Sequence, residues 1–328
     1  MLGEKKELTS EMGVNQKIAF GPVPSRRLGR SLGINNIPPK ICTYSCIYCQ
    51  VGRTVKLATD RRSFYSPEDV FEEVSTKVSK AQQEGESIDY LTFVPDGEPT
   101  LDIHLDREIE LLRSLGIRIG VISNSSLIWV PEVRETLMKV DWVSLKVDAI
   151  RESVWRQTNR PHGSLRLPDI LKGISVFRSG YQGELATETM LISGINDSQD
   201  QLLEIAEFIG EIEPKYAYLS IPIRPPSEDW VRSPDEDTIN KAYQVFSSRT
   251  DSVEYLIGYE GNAFAFTGNV EEDLLSITSV HPMRKDAVED FLMRAGSDWL
   301  VVESMIVQDK LVEVGYSGRT FYVRKLSM

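Results

Sequence analysis

Hydrophobic positions along the chain follow two periods. Short runs rich in β-branched and aromatic residues at 32–37, 90–94, 117–123, 142–147, 184–192 and 216–221 read as strands. Between them, apolar residues recur every three or four positions, which predicts helices at 67–83, 106–115, 131–139, 168–178, 200–212 and 235–246. The first helix has a clear start: Ser66 can cap it, Pro67 fits its first turn, and Glu68 and Asp69 suit the positive end of its dipole. Ser198 is a candidate cap for the fifth. Strands alternating with helices predict an α/β fold with a parallel sheet. There is no internal repeat or low-complexity run.

The fourth strand indicates how that sheet faces. Ser144, Lys146 and Asp148 alternate with Val143, Leu145 and Val147, so one face is polar and the other apolar. In a barrel wrapped by helices the polar face looks inward, although a solvated edge strand shows the same alternation. Glu188, Tyr218 and Ser220 add polar groups on the next two strands. Past residue 265 the pattern changes. A helix at 284–294 carries Ala287, Val288, Phe291 and Leu292 on one stripe and stops at Gly296, and a second helix runs to 307. Runs at 311–314 and 320–323 flank a turn at Tyr316-Ser317-Gly318-Arg319. Helix, helix and hairpin resemble a winged helix. The expected organisation is an N-terminal extension (1–17), a barrel (18–265) and a small winged-helix-like domain (266–328). The second of its helices has no basic residue from Asp298 to Met305, which favours protein or peptide recognition, or plain support, over DNA.

Composition narrows the classes. With 41% hydrophobic residues in 328, the chain can bury a large core. No stretch approaches the roughly 18 apolar residues of a membrane span, and the polar start lacks a signal peptide's apolar run, so a cytoplasmic protein without membrane partners is expected. A net charge of −12 argues against broad, phosphate-driven nucleic-acid binding.

The three cysteines of the chain, Cys42, Cys46 and Cys49, fall within eight positions in a C-x3-C-x2-C array. Thiolates on one short loop suit zinc or an iron–sulfur cluster. A catalytic zinc site can have three protein ligands, but His104, His162 and His281 are all remote in sequence. The sharper reading is a 4Fe-4S cluster held by three thiolates, with one iron left to bind a small molecule. Structural zinc or ordinary buried thiols are the plain alternatives.

The stretch Cys42-Thr43-Tyr44-Ser45-Cys46-Ile47-Tyr48-Cys49 resembles the signature loop of the radical S-adenosylmethionine (SAM) superfamily, including the aromatic Tyr48 before the last cysteine. That resemblance implies a partial (βα)6 TIM-like barrel, a 4Fe-4S cluster on Cys42, Cys46 and Cys49, and reductive cleavage of SAM to a 5'-deoxyadenosyl radical. It implies SAM contacts from the strand-end loops as well. Pro95-Asp96-Gly97-Glu98-Pro99 resembles the family's Gly-Gly-Glu turn, with Asp96 in place of the first glycine. Asn124 falls where the family binds the SAM carboxylate or ribose, Lys146 and Asp148 are candidates beside the ribose, and the stretch around Ile192 resembles the apolar segment behind the adenine. Arg26, Arg27 and Arg30 lie among turn residues before the cysteines and offer forks for an anionic group. With 223–230 they resemble iron–sulfur oxidoreductases related to the enzyme that builds the tricyclic wyosine base on tRNA. That enzyme carries a second cluster, and this chain has no further cysteines to hold one. The expected electron donor is a ferredoxin or flavodoxin, and the expected substrate a peptide or protein, with a tRNA base second. The other class of function is a redox sensor, which needs no SAM pocket, so changes at Glu98 and Asn124 would be silent in a sensor and damaging in an enzyme.

Overall fold

The chain was described from a computed structural model covering residues 17–257, 262, 264–279 and 281–325. The expected extension at 1–17 lies outside the described residues except for Lys17. Among the described residues the main sheet has eight strands. Seven are parallel: β2 (Gly29–Ile34), β5 (Tyr90–Phe93), β6 (Arg118–Ser123), β7 (Trp142–Lys146), β8 (Glu184–Met190), β9 (Tyr216–Ser220) and β10 (Val253–Leu256). They neighbour one another in chain order, and β1 (Ala19–Ser25) adds an antiparallel edge against β2. The six expected strands are all present in a half-barrel sheet, and β1 and β10 are additions to them. The first strand is displaced from the expected 32–37: it ends at Ile34, after which Asn35 and Asn36 turn away, Asn36 donating its amide to the Pro99 carbonyl at 3.2 Å.

The helices wrap the outer face. Val70, Val74, Val78 and Ala81 of α1 (Pro67–Gln83) recur along one stripe and are buried. Ser66 caps it, its hydroxyl accepting from the Asp69 amide at 3.1 Å. Next come α2 (Leu105–Leu112), α3 (Pro131–Leu137), α4 (Glu152–Asn159), α5 (Leu167–Gly180), α6 (Gln199–Ile212) and α7 (Glu236–Ser247). Ser198 stands at the start of α6 but makes no side-chain cap bond; Asp235 does so for α7, accepting from the Thr238 amide at 2.8 Å. Val143, Leu145 and Val147 join the helix-facing core with Ile174, Phe177, Ile205 and Phe246, so the alternation on β7 points its apolar side outward to the helices. The inner face is closed at one level by Tyr90, Trp142, Ala186, Tyr218 and Leu256.

Beyond the sheet come α8 (Val270–Thr278), β11 (Met283–Arg284), α9 (Lys285–Arg294), α10 (Leu300–Val307) and the hairpin β12 (Leu311–Tyr316) and β13 (Arg319–Arg324). Strand β13 is central, between β11 and β12. The core of this segment includes Met283, Phe291, Val302 and Met305, and it also takes in Phe20 and Val23 from β1. The edge strand of the barrel is thus packed into the C-terminal segment.

Candidate active site

The cysteine loop leaves the two-residue strand β3 (Ile41–Cys42), which pairs with β4 (Lys56–Leu57) in a small separate sheet. Backbone bonds pin the loop on several sides. The Ser45 amide donates to the Asn159 carbonyl at 3.0 Å, the Ile47 amide to Thr158 at 3.0 Å, and the His162 amide to Thr43 at 2.9 Å. From the 223–231 segment, the Ser227 hydroxyl donates to the carbonyls of Cys46 and Ile47 at 2.8 and 2.9 Å. Bonds of this density pin the backbone of the loop that carries the cysteines.

All three cysteines line one cavity of about 310 Å³. Tyr48, Asp96, Gly97 and Lys146 line it with them, as do Arg27 and Glu188. Gly97 is required by space: a Cβ there would stand 2.0 Å from the Ile41 carbonyl oxygen. Asp96 is 3.0 Å from the Lys40 ammonium; burial pushes its carboxyl up, and Lys40 only partly opposes this, leaving it at about 6. Deeper in the lumen, Glu188 receives Lys146 at 2.9 Å, Ser220 at 3.2 Å and the Arg27 guanidinium. Burial alone would raise the Glu188 carboxyl, but Arg27 and Lys146 together hold it well below the usual range. Burial likewise works against the Lys146 charge and is overcome by Glu188 and Asp148.

The remaining expected residues stand behind the cavity wall. Glu98 is fully buried and accepts from the Thr100 hydroxyl (2.6 Å), the Ser123 hydroxyl (2.8 Å) and the Asn124 amide (2.7 Å), tying the loops after β5 and β6 together. Asn124 in turn donates to Thr43 at 2.8 Å and to the Cys42 sulfur at 3.4 Å. Asp148 accepts from the Met190 amide at 2.8 Å, the Asn159 amide at 2.7 Å and the Tyr48 hydroxyl. Ile192 is packed with Ile47, Tyr48 and Val231, away from the cavity.

Asn159 and Asn196 were not foreseen as site residues, and Arg27 was foreseen with a different partner. Asn159 reaches Cys46 Sγ at 3.5 Å as well as Tyr48 and Asp148; it sits on α4, a helix missing from the expected set although Val154, Trp155, Thr158 and Asn159 carry the i, i+1, i+4, i+5 spacing that marks one. Asn196 links the ends of β7 and β8, donating to the carbonyls of Asp148 (2.9 Å) and Met190 (2.8 Å). Arg27 lies in the flagged arginine stretch, but its partner is the protein's own Glu188.

Burial pushes all three thiols up, Cys46 to about 12, with their mutual repulsion and nearby acids adding to it. Such thiols become thiolates when cationic iron takes them, and the Asn124 and Asn159 amides supply the sulfur hydrogen bonds that tune a cluster. Among the described residues, no three Cys, His or acidic side chains converge as ligands of a single ion. A 4Fe-4S cluster takes the three thiolates on three different irons, leaves the fourth iron open, and asks for no such convergence. The donor set therefore fits an iron–sulfur cluster.

The sequence model of the Radical SAM superfamily matches residues 36–209. The chain belongs to the radical SAM superfamily. It is accordingly an enzyme of the kind that uses a 4Fe-4S cluster and SAM. It is 48% identical over 311 residues to UPF0026 protein MJ1312 of Methanocaldococcus jannaschii, covering 94% of this chain and 96% of that protein. Among solved structures, it is similar to a radical SAM methyltransferase from Sphaerobacter thermophilus, with a TM-score of 0.54, 15% identity, and 70% and 67% of the two chains covered. It is also similar to TYW1 with a lysine-pyruvate adduct bound, with a TM-score of 0.50, 19% identity, and 68% and 76% covered. At these identities the likeness is one of fold. No helix among the described residues is long and apolar enough to cross a membrane.

Proposed function

We propose that Cys42, Cys46 and Cys49 hold the 4Fe-4S cluster and that SAM binds beside it in the shared cavity. There the cluster would supply the electron that cleaves SAM to methionine and a 5'-deoxyadenosyl radical, which takes hydrogen from a substrate. The observation that carries this reading is the convergence of all three sulfurs with Tyr48, Asp96, Gly97 and Lys146 on one cavity at the strand ends. Glu98, Asn124 and Asp148 act as positioning residues, because their polar atoms already bind the loops that carry the cavity wall. The Lys146–Glu188–Arg27 group gives the lumen a fixed charge pattern that can orient a polar substrate.

For the substrate we favour a peptide or protein over a tRNA base. Residues 266–328 read as a winged-helix-like unit whose α10 exposes Leu300 (67%) and Val307 (86%), a surface better suited to protein than to phosphate. The setting is the cytoplasm, where thiols stay reduced.

The test is anaerobic reconstitution with iron and sulfide, followed by reduction with and without SAM. Electron paramagnetic resonance should show a 4Fe-4S signal that shifts when SAM is added, and 5'-deoxyadenosine should be released. The Cys42→Ala, Cys46→Ala and Cys49→Ala proteins should each lose cleavage. Retained cleavage in any of them, or a signal indifferent to SAM, rules the reading out.

A further inference from the structure

Leu105, Glu108, Ile109 and Leu112 form the buried stripe of α2, so a carboxyl stands on the core face of this helix. Glu108 is fully buried, and such a group needs a partner. Its neighbours within hydrogen-bonding reach are Asp102, also fully buried, and Asn36. Asp102 Oδ1 accepts from the His104 amide at 2.8 Å, and Asn36 gives its side-chain amide to the Pro99 carbonyl at 3.2 Å. Asn36 Oδ1, Asp102 Oδ2 and both Glu108 oxygens are left buried with no hydrogen-bond partner among the described residues. Acceptors gathered without a donor repel, and one proton on one of them turns that repulsion into a hydrogen bond. Glu108 is the group to carry it. Burial pushes its carboxyl up and repulsion from Asp102 adds to this, whereas Asp102, also raised by burial, is partly relieved by the His104 amide and Arg61.

The pair sits at the end of the turn that follows Gly97 and Glu98. Residues Pro99–Leu101 form a single 3-10 turn, closed by the Asp102 amide donating to the Pro99 carbonyl at 3.2 Å. Arg61 holds the outer side of this turn, donating to the carbonyls of Thr100 at 2.9 Å and Asp102 at 3.0 Å. The titratable groups that act on the pair are Arg61 and Tyr65, with Arg62 bridged to Asp102 through the backbone and Glu132 of α3 acting on Arg61. Helix α1, which packs on α2, has Val70, Val74, Val78 and Ala81 as its buried stripe.

We propose that Glu108 is a positioning residue for SAM: as a neutral acid it donates to Asp102 and so holds the 97–102 turn against the cavity wall. When the turn loosens, water reaches both carboxyls and they ionise at ordinary values, so the ordered turn is the state that keeps the proton. SAM affinity is therefore complete while Glu108 is protonated and is lost as pH rises past its folded value. The proposal rests on the reading of this turn as part of the SAM site.

The test is the dissociation constant of SAM for the reconstituted full-length protein, read from the shift of the cluster's electron paramagnetic resonance signal at pH 7 and pH 9.5. Loss of one proton at about 9 should raise the wild-type constant about fourfold over this range. Glu108→Gln, which keeps the donor and cannot ionise, should lack this rise. Asp102→Asn removes the repulsion on Glu108, so its rise should begin at a lower pH than in wild type; it serves as the second variant should Glu108→Gln fail to fold. Ionisation of SAM itself is common to all three proteins and cancels in the comparison. An equal rise in wild type and Glu108→Gln, no rise in wild type, or an onset unmoved in Asp102→Asn would each overturn the proposal. Failure of the SAM reading would show separately, as a wild-type signal that SAM does not shift at pH 7.

Discussion

Glu188 in the lumen and Asp96 beside the cysteine loop are both buried, at 4% and 3% exposure, both ion-paired, and both on the wall of one cavity, yet their carboxyls are shifted in opposite senses. For each, the largest influence is burial, which disfavours the charge. The difference lies in what opposes it. Glu188 is held between Arg27 and Lys146 and accepts from Ser220, and it stays ionised well into acid. Asp96 faces Lys40 alone and is left near 6. One cation does not offset the desolvation of a carboxylate at this depth; two with a hydroxyl do. The lumen group is thus a fixed charge array, whereas the Asp96–Lys40 pair beside the cysteines is close to balance.

The comparison breaks most visibly at Glu188. Glu188→Gln leaves Arg27 and Lys146 together without their shared carboxylate, and loss of one partner from a buried ion group costs about 3 to 5 kcal/mol. Denaturant unfolding at pH 7 should show a loss of that order. Because the folded value of Glu188 is depressed, its contribution is complete above the unfolded value near 4.5 and is lost as pH falls through the folded one. The gap between wild type and variant should therefore close in acid. A loss under about 1 kcal/mol at pH 7 would mean that the two cations escape to solvent.

Asp96 should behave in the reverse sense. Its folded value is raised from 3.8 to about 6, so the folded state binds the proton more tightly and stability falls as pH rises from about 4 to 6. Asp96→Asn removes that penalty. Two units correspond to about 2.7 kcal/mol, so in the iron-free protein the variant should be more stable than wild type by about 2 kcal/mol at pH 7. The two should be equal below pH 4. Equal stability at pH 7 would show that Lys40 fully compensates the buried charge.

The contrast between these two groups was only half legible in the sequence. Alternation on β7 gave the inward face of Lys146 correctly, because a helix-covered strand sorts its residues with period two. Cysteine spacing singled out three residues that line one cavity, without any tertiary information. What periodicity does not report is pairing across long separations, such as Arg27 with Glu188, 161 residues apart. Strand β1 was hidden for a local reason: Gly21-Pro22-Val23-Pro24 reads as a turn, and the strand survives as an edge with a register shift between Phe20 and Val23. Strand β10 is four residues long with two of them buried, and α4 is a further eight-residue helix, between β7 and α5, where the alternating reading allotted one helix to each strand. With α4 missed, Asn159 was missed, since nothing near it in sequence connects it to Cys46 or Asp148.

The smallest effect isolates the single cation. Lys40→Met keeps the aliphatic stem and removes the charge 3.0 Å from Asp96, so desolvation acts on that carboxyl unopposed by its ion pair. The Asp96 value should then rise by about one unit above 6. The shift is read from the pH dependence of unfolding for Lys40→Met against the Lys40→Met, Asp96→Asn double variant, which cancels every other titrating group. Both pairs should begin to separate near pH 4, but the pH at which the gap stops growing should move upward relative to the wild-type and Asp96→Asn pair. At pH 7 the effect on stability stays small, because Asp96 in Lys40→Met takes up a proton in place of an uncompensated charge. A gap that still levels off at about 6 would show that Lys40 contributes nothing to Asp96. The difference between the two carboxylates would then lie in the Ser220 hydrogen bond and in water reaching the loop, and not in the number of cations.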